Sequence, residues 1–303
     1  SWPRDHGRER RYFILGPDRA SVEALSAEVG RWSAVIRDEI LVFRDSCGRK
    51  DADLFEQVQA VSLEDLVLAP GMKEEILGDI QRFFDSEEVY DEQGVPWNRG
   101  MLFLGPAGNG KTHTIKALIN EVDVPALYVR DFADRFDTPQ SLMHRTFQRA
   151  REVAPCVLIF EDLDNLITES NRSFFLNELD GFSLNRGILA LATTNHPERL
   201  DPALLNRPSR FDRKFTFELP DEQLRFVYLE KWAAKLSGDF ELSSDFLSDI
   251  AERTEGFTFA YIRELTHASH LRCLYDGGDR LAEIVVERVD MLRRELVDVR
   301  EDR

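Results

Sequence analysis

The chain has 303 residues, of which 43% are hydrophobic, and this is enough to build two compact domains with buried cores. Its formal net charge is −17, so its overall field repels phosphate backbones and we expect no nucleic-acid partner. Three dispersed cysteines and six histidines without ligand spacing predict neither a disulfide framework nor a metal site built from protein ligands alone.

Membrane association and targeting leave no signal in this sequence. No apolar run reaches the roughly 18 to 20 residues that a membrane-spanning helix needs, and no signal peptide is visible. The expected location is therefore intracellular, and cytoplasmic by default. The chain begins with "SWPRDHG" rather than with Met, so an organellar location stays open if a targeting segment has been trimmed.

The first part of the chain, residues 1–61, contains short elements that predict a partial β-α-β fragment and a connector. The apolar segment 11–16 predicts a strand, the segment that follows Ser21 has helical periodicity, and residues 39–43 predict a second strand. The polar segment 44–55 is interpreted as the connector. This fragment is too short to be predicted as an independent domain.

The middle of the chain, residues 62–219, alternates short apolar runs with helical segments. The runs are "MLFL", "PALYV", "CVLIF" and "ILALATT", and each has the length of a buried strand. Such alternation predicts a parallel sheet with helices on both faces. Residues 220–303 have a helical pattern with glycine breaks, which predicts a small all-α domain after the α/β core.

The stretch "GPAGNGKT" between the first of these runs and a helical segment matches a phosphate loop. Glycines let backbone N–H groups converge on phosphates, the lysine reaches the β and γ phosphates, and the hydroxyl binds Mg²⁺. A chance match is disfavoured, because the strand and the helix that the motif requires flank it. ATP and Mg²⁺ are therefore the expected cofactors. The loop residues expected at the nucleotide are Ala107, Gly108, Asn109, Gly110, Lys111, Thr112 and His113.

Two acids follow the run "CVLIF", at the strand end where open α/β sheets place their ligands. One acid at this place can bind Mg²⁺, usually through water, and a second can polarise the attacking water. We assign the metal role to Glu161, together with Thr112, and the water-activating role to Asp162. The alternative is an acidic, solvated turn between a strand and a helix, because pairs of acidic residues are common in a chain this acidic.

With both motifs in place, residues 62–272 resemble the AAA+ ATPases, and in particular the AAA group with a second region of homology. That region resembles residues 191–225. The resemblance implies that Asn195 is the sensor 1 residue and that Arg210 and Arg213 are arginine fingers that reach the nucleotide of a neighbouring subunit. The alternative for the two arginines is a solvated basic turn. The implied fold is an α/β P-loop NTPase core with a parallel sheet and helices on both faces, followed by a small all-α lid domain.

The same resemblance indicates residues around the adenine base and in the lid. Asp65 and Leu66 align with the loop on the adenine side, and Ala260 stands where this group has alanine rather than a sensor 2 arginine. Tyr228 and Trp232 form an i, i+4 pair that can pack on the base. A plain pair of core aromatic residues is an equal alternative for these two.

The sequence departs from the family pattern in two ways. The usual order of the acids is Asp then Glu, whereas here it is Glu161 then Asp162, as in the mitochondrial AAA type that translocates the folded Rieske protein. At the place of the pore loop, Phe136 has no adjacent glycine. Threading of an unfolded chain and remodelling of a folded partner therefore both stay open.

The function that the resemblance implies is ATP hydrolysis at subunit interfaces of a homo-oligomeric ring, a hexamer in this group, that remodels, unfolds or translocates a protein substrate. Three other classes stay open. One is an ATP-binding switch or scaffold with little turnover, motivated by the Glu-Asp order. The others are a DNA-directed AAA+ motor, which the acidity disfavours, and a small-molecule kinase, in which the second region of homology would have no role.

Overall fold

The protein is described by a computed structural model that covers residues 18, 22, 40–44, 47–133, 137–181, 185–205, 207, 210–236, 240–276 and 280–301. The predicted strand at 11–16 and, apart from Val22, the predicted helix after Ser21 lie outside these residues. Phe136 also lies outside them.

One sheet organises the α/β part of the molecule, as predicted. Its seven strands have the order β2-β1-β4-β5-β6-β3-β7, and all neighbours are parallel except the β1/β2 pair. The strands are β1 Ile40–Arg44, β2 Cys47–Asp51, β3 Asn98–Leu104, β4 Ala126–Val129, β5 Cys156–Phe160, β6 Ile188–Thr194 and β7 Arg213–Thr216. A phosphate-binding loop placed after β3 therefore lies between β6 and the edge strand β7, two strands away from β5.

Helices cover both faces of the sheet and make up the C-terminal part. They are α1 Ala52–Gln59, α2 Met72–Asp85, α3 Glu87–Glu92, α4 Lys111–Glu121, α5 Pro139–Val153, α6 Leu163–Leu166, α7 Arg172–Leu179, α8 Pro202–Leu205, α9 Glu222–Ala234, α10 Ser244–Arg253, α11 Phe259–Asp276 and α12 Leu281–Glu301. Short 3₁₀ turns lie at Leu63–Asp65 and Pro197–Arg199. Among the helices in the described ranges, none combines the length and the apolar character needed to cross a bilayer.

The sheet separates two apolar cores. On one face α1, α2 and α4 pack through residues such as Leu54, Ile80 and Ile115, and on the other α5 and α7 pack through residues such as Phe147 and Phe175. Successive residues of each inner strand point to opposite faces and are apolar on both, which explains why the strands appear in the sequence as continuous apolar runs. The predicted α/β architecture is confirmed.

The interpretation of residues 44–55 as a connector is wrong. They contain β2, which pairs antiparallel with β1, and the start of α1, whose first turn is capped by Asp51 accepting from the Leu54 N–H at 2.8 Å. This strand was not predicted, because its sequence, "CGRKD", is polar. Charged residues are characteristic of strands at the edge of a sheet. The described part of the predicted fragment 1–61 thus shares the sheet and the core of residues 62–219.

The C-terminal helices form a unit with its own core. Buried residues from α9 to α12 pack together, among them Leu229, Ile250 and Leu265. Buried Arg225 joins the start of this unit to α10, because its guanidinium donates to the Pro220 carbonyl, just before α9, at 2.8 Å and to the Ala251 carbonyl in α10 at 2.9 Å. An all-α region after the core is confirmed, and we call it the lid.

Candidate nucleotide site

The phosphate loop joins the end of β3 to the start of α4 and needs its glycines. Gly105, Gly108 and Gly110 have φ angles of +133°, +82° and +94°, a region that residues with a side chain rarely adopt. A methyl group at Gly105 would also lie 2.1 Å from the Phe217 carbonyl oxygen. The motif spacing therefore reflects backbone geometry, and this geometry turns successive N–H groups into one concave surface.

Lys111 is buried within this loop. Its Nζ donates to the carbonyl oxygens of Gly105 at 2.5 Å and of Pro106 at 2.8 Å. Burial lowers the pKa of Lys111, although the nearby carboxylates of Asp162 and Asp164 act in the opposite direction. The loop thus holds a poorly hydrated ammonium group at the place where phosphates would enter.

Asp162 and Asn195 are brought together although they are far apart in sequence. Asp162 follows β5 with φ +48°, and its backbone N–H donates to Thr193 Oγ1 at 3.0 Å. Its Oδ1 accepts from Asn195 Nδ2 at 2.8 Å. Because β5 and β6 are parallel neighbours, both strand ends meet at this edge. Asp162 is thus held by one contact to its backbone and one to its carboxylate.

Glu161 lines a cavity of about 680 Å³. This cavity shares Thr112, Lys116 and Asp162 with the main cavity, which lies beside the phosphate loop. The Oε1 of Glu161 is buried and has no hydrogen-bond partner among the residues that the structure describes. A carboxylate oxygen left in this state, in a cavity that Thr112 also lines, fits a hydrated Mg²⁺ ion. Magnesium usually takes only one or two protein ligands and completes its shell with water and phosphate oxygens. The described residues contain no group of three or more His, Cys, Asp or Glu residues that could hold a metal by themselves.

The main cavity, of about 710 Å³, lies between the phosphate loop, the strand ends and the lid. Thirteen predicted site residues line it: Asp65, Leu66, Ala107, Gly108, Gly110, Lys111, Thr112, His113, Asp162, Asn195, Tyr228, Trp232 and Ala260. Tyr228 packs on Phe259 with ring centroids 5.6 Å apart, so one of its faces is used within the lid. The structure therefore gathers most of the expected nucleotide contacts around one space large enough for a nucleotide.

The side chain of Asn109 does not line this cavity. It is 2% exposed, and neither its Nδ2 nor its Oδ1 has a partner among the described residues. Its expected contribution to nucleotide binding is therefore confined to the backbone.

The lid touches the core at two places beside the cavity. The Ala260 N–H, at the start of α11, donates to the Gly108 carbonyl at 3.0 Å. On the adenine side, Lys235 Nζ lies 2.5 Å from Asp65 Oδ1, and Lys231 donates to the Glu64 carbonyl. The hydrogen bond from Lys235 lowers the pKa of Asp65. Partial burial is the main cause of the lowered pKa of His113, and the nearby positive charges of Arg263 and Lys116 lower it further.

Sequence reasoning missed several cavity residues, and five of them are basic. Lys116, Lys231, Lys235, Arg263 and His267 all line the cavity. Lys231 and Lys235 share a helix face with Tyr228 and Trp232, so their spacing was an available signal. In a chain of net charge −17, this concentration of cations favours an anionic ligand.

Arg210 and Arg213 lie outside the cavity of their own chain. Arg210 is buried and binds both oxygens of Asp180, and it also donates to the Ala203 carbonyl at 2.6 Å. Arg213 forms salt bridges with Glu75 and Asp79. Its hydrogen bond to Glu75 has the largest effect on the pKa of Arg213, and both carboxylates raise that pKa. Neither arginine is the solvated basic turn that was the alternative.

A parallel sheet with a phosphate loop, strand-end acids and a helical lid around one cavity defines a P-loop nucleotide-binding protein. Residues 101–219 match the family model described as "ATPase family associated with various cellular activities (AAA)". The chain therefore contains an AAA domain and belongs to the AAA+ ATPase superfamily.

Several curated relatives are similar over most of this chain. The ATP-dependent zinc metalloprotease FtsH of Lancefieldella parvula is 33% identical over 234 residues, which cover 72% of this chain and 36% of the relative. The FtsH of the same description from Bacillus subtilis is 32% identical over 241 residues, which cover 74% and 37%. The one from Caldicellulosiruptor bescii is 33% identical over 257 residues, which cover 79% and 40%. The chain thus spans little more than a third of the length of these relatives.

Proposed function

We propose that this chain hydrolyses ATP at the interfaces of a ring of identical subunits and uses the energy to remodel, unfold or translocate a protein substrate. The observation that carries this proposal is the fixed position of Asp162 at the cavity wall, where Thr193 and Asn195 hold it close enough to Lys111 to affect the pKa of that lysine. A carboxylate held in this way beside a phosphate loop is suited to act on a water molecule at the terminal phosphate.

The proposed reaction is in-line transfer of the γ-phosphoryl group to water, which gives ADP and phosphate. The loop N–H groups from Ala107 to His113 and the Lys111 ammonium bind the phosphates. Thr112 and Glu161 hold Mg²⁺, which neutralises charge on the phosphate oxygens when it is bound. Asp162 orients the attacking water and takes its proton, and Asn195 keeps the Asp162 carboxylate in the required orientation.

The adenine base is proposed to lie between the core and the lid. Tyr228 and Trp232 offer aromatic surface from α9, Leu66 offers an apolar contact from the core, and Asp65 and Ala260 border the same space. Since these residues come from both units, a bound nucleotide would couple the position of the lid to the state of the phosphates.

Action between subunits is supported by the position of the two arginines. Arg210 and Arg213 do not line the cavity of their own chain, so a role at a nucleotide requires the nucleotide of another copy. A guanidinium delivered in this way stabilises charge on the transferring phosphoryl group and can raise the rate about a thousandfold or more. We propose a hexamer, following the resemblance to the AAA group.

The choice of a protein as substrate rests on the relatives. Their name joins dependence on ATP to proteolysis, and the shared part of the sequence includes the whole AAA domain. Mechanical work on a protein, rather than the proteolysis itself, is what this shared part would supply.

The test is ATP turnover as a function of protein concentration, with Asp162→Asn and Arg213→Ala beside the wild type. Specific activity should rise with concentration, and both variants should lose it while still binding nucleotide. Binding without phosphate release at any concentration, in a sample that sizing shows to be a ring, would favour the switch or scaffold. Stimulation by DNA would favour the DNA-directed motor, and transfer only in the presence of a small acceptor would favour the kinase.

A further inference from the structure

We propose that Tyr128 is a positioning residue for Glu161, holding this longer carboxylate in place at the metal side of the site. The inference rests on the proposed function, because that function assigns Glu161 to Mg²⁺. It adds a residue that no sequence motif includes, and it accounts for the glutamate at this position.

The sheet register brings the two side chains together. In the β4/β5 pair Tyr128 lies opposite Ile159, and Glu161 follows Ile159 by two residues. Residues two apart along a strand lie on the same face of the sheet, so Glu161, just beyond the end of β5, continues the face on which Tyr128 lies. Tyr128 is 4% exposed, and both residues line the same cavity of about 680 Å³.

The hydroxyl of a tyrosine can donate a hydrogen bond to a carboxylate, and Tyr128 is buried in the cavity wall that also carries Glu161. Burial raises the pKa of Tyr128, and the nearby charge of Glu161 raises that pKa further. A buried phenol normally needs a partner for its hydroxyl, and the proposed partner is the Glu161 carboxylate, which lines the same cavity. The cation Arg130 also lies near and acts in the opposite direction.

A glutamate needs such a restraint more than an aspartate does. It has one more methylene group, hence one more rotatable bond, and its carboxylate must be held if it is to face a hydrated ion. A contact between the carboxylate and Tyr128 fixes the side chain, while the buried Oε1, which has no partner among the described residues, stays available. Asp162 has its own partners, Thr193 and Asn195, so the two neighbouring acids are held independently.

The first experiment measures the Mg²⁺ concentration needed for half-maximal binding of a fluorescent ATP analogue. Tyr128→Phe keeps the buried ring and removes only the hydroxyl. We expect the required Mg²⁺ concentration to rise about tenfold, the lower range for loss of a group that orients a metal ligand. Binding measured without Mg²⁺ should not change. Tyr90→Phe, a half-buried tyrosine away from both cavities, is the matched control and should behave as the wild type.

A second variant tests whether the effect passes through Glu161. Glu161→Asp restores the usual acid but shortens it away from Tyr128, so we expect it also to raise the Mg²⁺ requirement. In that background Tyr128→Phe should add little. An unchanged Mg²⁺ requirement in Tyr128→Phe, an equal added factor in both backgrounds, or an unimpaired Glu161→Asp would each overturn the proposal.

The two proposals can fail separately. A wild type that shows this Mg²⁺ dependence but releases no phosphate would remove the hydrolysis and leave the role of Tyr128. A wild type that hydrolyses ATP while Tyr128→Phe binds Mg²⁺ and nucleotide normally would remove only the role of Tyr128. If Tyr128→Phe does not fold, Glu161→Asp alone decides, because the proposal requires it to bind Mg²⁺ more weakly.

Discussion

The guanidinium of Arg210 binds the carboxylate of Asp180 through two hydrogen bonds, from Nε to Oδ1 at 3.0 Å and from Nη2 to Oδ2 at 2.7 Å. The side chains are 5% and 15% exposed, so the pair is largely shielded from water. A residue proposed to act on the nucleotide of another copy is thus held within its own chain by the end of α7. We expect loss of this contact to lower the stability of the single chain, independently of any effect on a ring.

We therefore predict that Asp180→Ala lowers the free energy of unfolding by about 3 kcal/mol, because it leaves a buried guanidinium without its carboxylate. Arg207, which is 53% exposed and touches the same carboxylate, provides the control. Arg207→Ala should cost at most about 1 kcal/mol. Denaturant unfolding followed by circular dichroism measures both. Equal losses in the two variants would show that the buried pair contributes no more than a surface one.

The contact between lid and phosphate loop predicts a specific effect of a methyl group at Gly108. Its Cβ would lie 2.8 Å from the Ala260 Cβ and 2.9 Å from Thr258 Oγ1, so Gly108→Ala should push the lid from the loop and weaken nucleotide binding about tenfold or more. Gly71 has a similar φ of +78° with nothing within 4 Å of the added methyl. Gly71→Ala should therefore cost about 1 kcal/mol of stability and leave binding unchanged. Titration with a fluorescent nucleotide compares the two, and equal affinities would contradict the contact.

The bond between Asn195 and Asp162 predicts coupled effects on turnover. Asp162→Asn should lower kcat about a hundredfold or more, because the amide cannot take a proton from water. Asn195→Ala should lower kcat by a smaller factor, about tenfold, through loss of one hydrogen bond to a carboxylate. The double variant should be no slower than Asp162→Asn, since Asn195 is proposed to act through Asp162. Steady-state phosphate release gives all three values, and multiplicative losses would assign Asn195 an independent role.

The contact between Asp65 and Lys235 predicts a pH dependence of the lid. The hydrogen bond from Lys235 lowers the pKa of Asp65 from its usual 3.8, so this contact stabilises the folded state above that pH and is lost as the pH falls below it. Thermal unfolding between pH 3 and 7 should show a lower Tm for Asp65→Asn than for the wild type at neutral pH. The difference should be small, because both side chains are well exposed. It should shrink as the pH falls below 3.8, and a difference that stays constant there would mean that the charge of Asp65 is not its source.

Much of this molecule was predictable from local sequence patterns. The phosphate loop, the strands β3 to β6 and the helix after the loop were expected from apolar runs and the glycines that end them. These signals are local, because a buried parallel strand is apolar on both faces and a phosphate loop requires glycine at particular backbone angles. The edge strand β2 was missed for the complementary reason, because its sequence, "CGRKD", contains no apolar run.

The sequence by itself determined which chemical groups the site contains: an ammonium, a hydroxyl, two acids, an amide and two arginines. Only the tertiary structure decided which of them touch. The register of β4 and β5 places Tyr128 opposite Ile159, two residues before Glu161. The adjacency of β5 and β6 joins Asp162 to Asn195, and the packing at the end of α7 brings Asp180 to Arg210. Each pair is separated by about thirty residues of chain. Contacts over such distances are set by strand order and helix packing, which depend on the burial of the whole core and not on any short segment.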